Sequence, residues 1–330
     1  MTRLRTLAAV AALATGLALG ACGTTEEAAA PDASPSGGAA AGPVTVTDGR
    51  GKQITLDKPA TKVVSLEWGE TEMLVSLGVM PVGNADNEGY RTWVTAAPLD
   101  ASVKDVGTRG EPSVDAIVAL QPDLVVMEAE RGAPIVAQLE KYVPVLVTVG
   151  SDAKDNLARL RGDLTMIATA VGKQAEGEKL LADLDARIAS AKSELAAKGL
   201  AGSRFAMADG WKQGSTVTIR MFAKGSQLSE LATAIGLENA WTAAGDEMWG
   251  LGQTDVEGVK ALDGKGARFF YNASDGTDVF ADGLAGNAIW DSLDFVKEKR
   301  LTKLPNGIWT FGGPKSCQQW IDAVVAAYTA

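Results

Sequence analysis

Short runs of β-branched residues alternate with helical patterns along the first half of the chain. The strand-like runs and the helical patterns between them are Lys62–Leu66, Thr71–Leu77, Asp123–Met127, Pro134–Tyr142 and Val145–Val149. Alternation of this kind is typical of a parallel sheet that helices cover on both faces. We therefore predict an α/β lobe over residues 44–172.

A long helical segment follows this lobe. Apolar residues recur at helical spacing from Asn156 to Lys198, with an interruption at Gly172. The part from Gln174 onward has few helix-breaking residues and is long enough to connect two lobes. Strand and helix patterns then resume in Arg204–Ala208, Thr216–Met221, Gln227–Ile235 and Arg268–Asn272. The sequence thus predicts a bridging helix over residues 173–199 and a second α/β lobe over residues 200–330.

The N-terminal segment has the character of an export signal. Arg3 and Arg5 precede an apolar stretch from Leu7 to Leu19, which is too short to span a bilayer. The stretch ends in Leu-Gly-Ala-Cys22, which resembles the bacterial lipobox, where the cysteine is diacylated and becomes the mature N-terminus. We expect a signal peptide over residues 1–21, a lipid on Cys22, and a flexible tether over residues 22–43. An ordinary signal followed by an unrelated cysteine is the alternative.

Charge and residue content exclude several classes of function. Removal of the signal lowers the 31 basic residues to 29, against 41 acidic residues, which argues against binding to nucleic acid. The chain has no histidine, so imidazole-based metal sites and Ser-His-Asp or Cys-His catalysis are largely excluded. With Cys22 lipidated, only Cys317 remains, so we expect no intrachain disulfide and interpret Cys317 as a packed side chain.

Several strings resemble the ferric-siderophore-binding proteins of ABC importers, of the iron-hydroxamate type. They are Val-Val-Ser-Leu-Glu-Trp-Gly-Glu-Thr-Glu-Met-Leu at 63–74, Leu-Gly-Val at 77–79, Pro-Val-Gly at 81–83, Gly-Tyr at 89–90, Val-Gly-Thr-Arg-Gly-Glu-Pro at 106–112, Leu-Gln-Pro-Asp-Leu at 120–124, Asn-Ala-Ile-Trp at 287–290 and Phe-Gly-Gly-Pro at 311–314. The resemblance covers essentially the whole chain after the tether. It implies two α/β lobes with short central sheets, joined by one long helix, with a ligand cleft between the lobes.

The resemblance also implies a binding site. Arg109 matches the arginine that contacts the chelating oxygens around iron in hydroxamate binders, and Trp249 matches an aromatic wall from the second lobe. Motif position adds Trp68 and Trp309. The siderophore already fills the coordination shell of Fe³⁺ with oxygens, so no cofactor and no direct metal ligand are expected. The protein supplies apolar walls and cations that donate hydrogen bonds to those oxygens.

Other candidate ligand contacts stay open at this point. Arg220, at the end of an apolar strand, either forms a local salt bridge or points into the cleft. The Tyr90 hydroxyl either contacts the ligand or packs on the rim. Trp241 and Trp290 are interpreted as packing residues, while Trp93 and Trp211 are not assigned.

An acidic residue recurs in each lobe before an apolar pattern. Ser113-Val-Asp-Ala-Ile117 and Asp255-Val-Glu-Gly-Val259 both lead to a leucine and then to a strand. A capped helix gives the same pattern. The resemblance, however, implies that Asp115 and Glu257 dock on arginines of the ABC permease, although glutamate is usual at the first position. Opposed charges there would set register and association rate.

The resulting hypothesis is an extracytoplasmic, membrane-anchored, monomeric binding protein that delivers a ferric siderophore of the hydroxamate class to a permease. Cobalamin or haem as the ligand of the same fold is the first alternative, and catecholate siderophores also remain open. A surface-anchored enzyme would need a pair of catalytic carboxylates, which no motif indicates. A structural or adhesive lipoprotein would predict repeats or an exposed β architecture instead of α/β alternation.

Overall fold

The computed structural model describes residues 42–129, 133–214 and 216–330. The described chain begins with an antiparallel hairpin of β1 (Val44–Thr47) and β2 (Gln53–Leu56). One face of the hairpin is apolar, and its Val46 and Ile54 side chains join the main hydrophobic core. The predicted signal peptide and Cys22 lie outside the described residues.

A five-stranded parallel sheet forms the centre of the first lobe. Its strands are β3 (Val63–Ser65), β4 (Gly83–Asn84), β5 (Lys104–Asp105), β6 (Leu124–Glu128) and β7 (Val145–Thr148). Their order in the sheet is β5-β4-β3-β6-β7. The strands β3, β6 and β7 are buried along their whole length, as expected for a parallel sheet with both faces covered. The predicted parallel sheet is therefore confirmed.

The described residues of this lobe contain five helices. They are α1 (Trp68–Ser76), α2 (Asn87–Trp93), α3 (Val114–Ala119), α4 (Ala133–Leu139) and α5 (Asn156–Ala170). Side chains cap four of their N-termini by accepting a backbone N–H, namely Glu67, Asp86, Ser113 and Asp155. Such caps satisfy N–H groups that have no partner within the helix, and they fix where each helix begins.

The chain passes from the first lobe to the second through α6 (Gln174–Ala197), a helix of 24 residues. Gly172, with φ of 68°, provides the left-handed turn between α5 and α6. The added methyl group of any other residue at this position would lie 2.8 Å from the Pro59 ring. A long helix therefore lies between the two central sheets along the chain.

A six-stranded mixed sheet forms the second lobe. Its strands are β8 (Arg204–Gln213), β9 (Thr216–Phe222), β10 (Glu238–Asn239), β11 (Leu251–Thr254), β12 (Arg268–Tyr271) and β13 (Leu301–Lys303). Their order is β11-β9-β8-β12-β13, with β10 beside β8. In this sheet, β9 pairs antiparallel with both β8 and β11. The strand β12 pairs parallel with both β8 and β13.

Helices cover this second sheet. They are α7 (Gln227–Ala234), α8 (Ala288–Ser292), α9 (Asp294–Lys297) and α10 (Pro314–Thr329). A 3₁₀ turn at Gly258–Leu262 and a π turn at Val279–Gly283 lie between them. Trp241 and Trp290 are buried in the core of this lobe, as predicted. Cys317 is also buried, and desolvation raises the pKa of its thiol to about 12.

One hydrophobic cluster extends through both lobes. It contains Val63 of the first sheet, Phe205 of the second sheet, and Trp320 of α10, which is fully buried between them. Separation of the lobes would expose this shared apolar surface, at a cost of about 25 cal/mol per Å². The packing therefore favours a small change in lobe arrangement when a ligand binds.

A buried carboxylate also joins α10 to the first lobe. Glu72 of α1 accepts hydrogen bonds from the backbone N–H groups of Gly313 and Ser316, both at 2.9 Å, and from the Ser316 hydroxyl at 2.5 Å. The side chain of Glu72 is fully buried. It satisfies N–H groups at the start of α10 that have no partner within that helix, and a negative charge is favourable at this end of a helix.

Candidate functional site

A cavity of about 270 Å³ lies between the two sheets. Its walls come from both lobes and contain three arginines, three glutamates and three aromatic residues. The lining residues are Glu67, Gly69, Glu70, Met73, Arg109, Glu128, Gly150, Arg159, Arg220, Trp249, Leu251, Trp309 and Phe311. This mixture of charged donors, acceptors and flat apolar surfaces fits a polar organic ligand with an apolar framework.

Arg109 enters the cavity from the loop after β5. Its guanidinium carbon lies 3.8 Å from the centre of the Trp68 ring and 5.5 Å from that of Trp309. Its Nη1 donates to Glu67 Oε1 at 2.6 Å, and this carboxylate oxygen also accepts the backbone N–H of Trp68. The contacts with Trp68 and Glu67 hold the guanidinium at the cavity wall before any ligand arrives.

Arg220 enters from the second lobe. It lies on β9, directly opposite Asp209 on β8, and its Nε donates to Asp209 Oδ1 at 2.8 Å. Its guanidinium carbon lies 5.2 Å from the centre of the Phe311 ring and 5.8 Å from that of Trp211. Burial raises the pKa of the Asp209 carboxyl, while the Arg220 guanidinium acts in the opposite direction. Arg220 thus forms a local salt bridge and also faces the cavity.

Aromatic rings form one continuous wall of the cavity. The Phe311 ring packs edge-on against both Trp249 and Trp309, with centroid distances of 5.4 and 5.3 Å. The Trp249 backbone is held by Asp246, whose Oδ1 accepts its N–H at 2.6 Å. Gly250 follows with φ of 67°, and a side chain there would collide with the Ser226 backbone. The turn therefore fixes where Trp249 lies.

The floor of the cavity is formed by buried charged groups. Arg159 of α5 donates to Gln227 Oε1 at 2.6 Å and lies 3.5 Å from Asp163. Glu70 of α1 is 4% exposed, and its Oε1 accepts the Thr148 hydroxyl at 2.5 Å. Desolvation, with a further contribution from the Glu67 carboxylate, raises the pKa of Glu70 to about 7.

The structure brings most of the predicted ligand contacts together. Arg109, Arg220, Trp249 and Trp309 line the cavity, and Trp68 lies beneath the Arg109 guanidinium. The sequence predictions omitted Arg159, Glu70, Glu67 and Glu128 as site residues, as well as Phe311. The only signal for Glu67, Glu70 and Phe311 was that they lie within the strings that carry the family resemblance.

Tyr90 requires a correction. It is fully buried, and its hydroxyl donates to the Ala97 carbonyl oxygen at 2.7 Å. Its ring packs with Trp68 in a small apolar cluster behind the cavity wall. Because the hydroxyl is already bonded and has no exposed surface, it cannot serve as a ligand contact in this structure. Tyr90 instead supports the wall on which Trp68 lies.

The two predicted docking residues lie on the surface. Asp115 is exposed in the first turn of α3, and Glu257 is exposed just before the 3₁₀ turn of the second lobe. Neither carboxylate forms an ion pair with the described part of the chain. Both are therefore accessible to a partner.

Within residues 42–129, 133–214 and 216–330, no group of three or more His, Cys, Asp and Glu side chains is arranged to hold a metal ion. None of the helices in these ranges combines the length and the apolar content that crossing a bilayer requires.

Comparison with known proteins gives related sequences and structures. The iron(3+)-hydroxamate-binding protein FhuD of Escherichia coli is 28% identical over 260 residues, covering 79% of this chain and 84% of that protein. The Fe(3+)-citrate-binding protein YfmC of Bacillus subtilis is 26% identical over 274 residues, covering 83% and 82%. The crystal structure of FhuD from Vibrio cholerae with Fe³⁺-Desferal superposes with a TM-score of 0.71 at 23% identity, covering 82% of this chain and 98% of that one.

The structural likeness shows that the two-lobed α/β fold is shared. A sequence model described as "Periplasmic binding protein" matches residues 63–307, which include both central sheets and α6. The relatives named above are substrate-binding proteins and not enzymes. The extent of the match, together with the fold and the interlobe cavity, places this chain in the periplasmic binding protein family.

Proposed function

We propose that the cavity binds a ferric siderophore, of the hydroxamate class, and that the chain delivers it to the permease of an ABC importer. The observation that carries this proposal is the pair Arg109 and Arg220. One guanidinium comes from each lobe, each is placed beside aromatic rings, and both face the same cavity.

The chemistry of a ferric siderophore matches these groups. Its oxygens already surround the iron, so the protein supplies no metal ligands. Arg109 uses Nη1 for Glu67, and a guanidinium has five N–H donors, which leaves donors that can reach hydroxamate oxygens. The wall of Trp249, Trp309 and Phe311 offers flat apolar surface to the organic part of the ligand.

The names of the relatives support this class of ligand. One relative is named for iron(3+)-hydroxamate and another for Fe(3+)-citrate. We favour hydroxamate because its oxygens call for hydrogen-bond donors at an otherwise apolar wall, as Arg109 provides beside Trp68.

Titration of the tether-free protein with ferric siderophores, iron-free siderophores, cobalamin and haem tests the proposal. We expect saturable tryptophan quenching by a ferric hydroxamate, whereas a response to cobalamin or haem alone would contradict the assigned ligand.

The proposal extends to the place of the protein at the membrane. Residues 1–21 would be removed as a signal peptide, Cys22 would carry the lipid, and residues 22–43 would tether lobes at 44–172 and 200–330 around the helix at 173–199. Several relatives are named as substrate-binding lipoproteins. The protein would act as a monomer on the extracytoplasmic face of the membrane.

Docking on the permease would use Asp115 and Glu257, one exposed carboxylate from each lobe. We expect the double change Asp115→Ala and Glu257→Ala to leave ligand affinity intact but to slow uptake of the ferric siderophore into cells about tenfold. The matched control is Glu178→Ala, which removes an exposed carboxylate of α6. Uptake of the double variant at the rate of this control would contradict both docking assignments.

A further inference from the structure

The three guanidinium groups that the described residues contribute to the cavity each have a carboxylate partner of their own. Arg109 pairs with Glu67 at 2.6 Å, and Arg159 lies 3.5 Å from Asp163. Arg220 pairs with Asp209 through two hydrogen bonds. The positive charge of each guanidinium is therefore already compensated by the protein. A bound ligand can use their N–H donors, but it need not bring negative charge.

Glu70 differs from these paired carboxylates. It lines the same cavity, and its only side-chain hydrogen bond within the described chain is the one that Oε1 accepts from Thr148. No lysine or arginine in residues 42–129, 133–214 and 216–330 forms an ion pair with it. No donor or cation of these ranges contacts the second oxygen, Oε2, so Glu70 lines the cavity as an acceptor without a positive partner in the described chain.

The cavity lining also contains two glycines. Gly69, beside it in α1, and Gly150, after β7, both line the cavity. A methyl group on Gly69 would come within 3.0 Å of the Phe311 carbonyl oxygen, and one on Gly150, which has φ of +77°, would come within 2.9 Å of Glu128. These close approaches leave no room for a side chain at either position, so both residues contribute backbone and no side chain to the cavity lining.

Burial of a carboxylate without a cation is unfavourable, because the lost hydration is not replaced. Desolvation and the nearby Glu67 carboxylate both raise the pKa of Glu70. A positive group at this position would offset both effects, since it would favour the ionised form. Among the ligand groups small enough to fit, a primary ammonium supplies a positive charge and three donors.

We propose that Glu70 binds a primary ammonium group of the ligand, so that the cavity prefers ferric hydroxamates that carry a free amine over uncharged ones. This inference rests on the proposed function, since it assumes that the ligand is a ferric hydroxamate. It assigns Glu70 a role in ligand selectivity that is distinct from the hydrogen bonds that Arg109 and Arg220 donate to the chelating oxygens.

Two ligands that differ only at the amine test the inference. Ferrioxamine B is a linear ferric trihydroxamate with a free primary amine, and N-acetylation removes the charge without changing the iron centre. We expect the purified protein to bind the amine form at least about tenfold more tightly than the acetylated form. Glu70→Gln should abolish this difference by weakening binding of the amine form alone.

The substitution is designed to keep the fold. A glutamine carbonyl oxygen at this position can still accept the Thr148 hydroxyl, and circular dichroism with thermal unfolding would check the variant. Glu178→Gln, which changes an exposed glutamate of α6, is the matched control and should retain the tenfold preference.

The possible outcomes separate this inference from the proposed function. Equal affinity of the wild-type protein for the two ferrioxamines would overturn the role of Glu70 and leave siderophore binding in place. The same conclusion would follow if Glu70→Gln kept the preference, or if only uncharged ferric siderophores bound. Failure of every ferric siderophore to bind would overturn the proposed function and this inference together.

Discussion

Replacement of Glu72 by alanine is expected to lower the free energy of unfolding by about 3 to 4 kcal/mol. The carboxylate is fully buried and accepts three hydrogen bonds from the start of α10. Its loss would leave the N–H groups of Gly313 and Ser316 buried without an acceptor, each at a cost of about 1 to 3 kcal/mol. Urea unfolding followed by circular dichroism would measure the change.

Two further variants sharpen this test. Glu72→Gln keeps one acceptor oxygen in a side chain of the same size, so it should destabilise the protein less than alanine does. Glu178→Ala, an exposed change on α6, should alter the free energy of unfolding by less than about 0.5 kcal/mol. If Glu72→Ala matched this surface control, the carboxylate would not hold α10 to the first lobe.

Replacement of Arg109 by alanine should weaken binding of the ferric ligand by about 1.5 to 3 kcal/mol, or roughly 10- to 150-fold. The change removes a guanidinium that lies 3.8 Å above the Trp68 ring and faces the cavity. Hydrogen bonds from a charged donor to the chelating oxygens would be lost, as would the hydrogen bond that Arg109 donates to Glu67. Fluorescence titration of the folded variant would give the affinity.

Arg109→Lys is the informative companion to this variant. Lysine keeps the positive charge, but it cannot lie flat on Trp68 while presenting a planar fork of donors. We expect it to recover only a small part of the lost affinity. An affinity of Arg109→Ala equal to that of the wild-type protein would remove Arg109 from the ligand site.

Much of the fold could be predicted because its central strands are buried on both faces. The runs around Val63–Ser65, Leu124–Glu128 and Val145–Thr148 are almost entirely apolar, which gives a clear local signal. The second lobe was harder to predict in detail. The strand β8 continues beyond Ala208 as far as Gln213 because it pairs with β9. Several residues of this continuation are polar, so they give no apolar strand signal of their own.

The candidate site shows a similar division. Arg109 was identified because it lies in a string that resembles the family, and Trp249 because it matches the aromatic wall that the family's second lobe contributes. Arg159 was missed because an arginine four residues before Asp163 on a helix has the pattern of an ordinary surface ion pair, whereas its side chain is in fact buried at the cavity floor. Glu70 was missed for a similar reason, since glutamate in the first turn of a helix is usually solvated.

Tyr90 is the opposite case, a residue that the sequence suggested as a ligand contact but that the structure buries behind the cavity wall. An aromatic residue with a polar tip, next to a glycine and within a family string, fits both a ligand contact and a packed support. Only the three-dimensional arrangement, in which its hydroxyl donates to Ala97, distinguishes the two. The hydrogen-bond partner of a buried tyrosine depends on a tertiary contact that local sequence does not encode.

The most direct test of ferric siderophore binding is a paired fluorescence titration of the tether-free protein with the ferric and the iron-free form of one hydroxamate siderophore, corrected for absorbance by the ligand. Trp249 and Trp309 line the cavity and should report its occupation. The account predicts saturable quenching at one ligand per protein by the ferric form, with much weaker binding of the iron-free form. Absence of saturable binding when the titration is repeated with each ferric siderophore of a panel would contradict it.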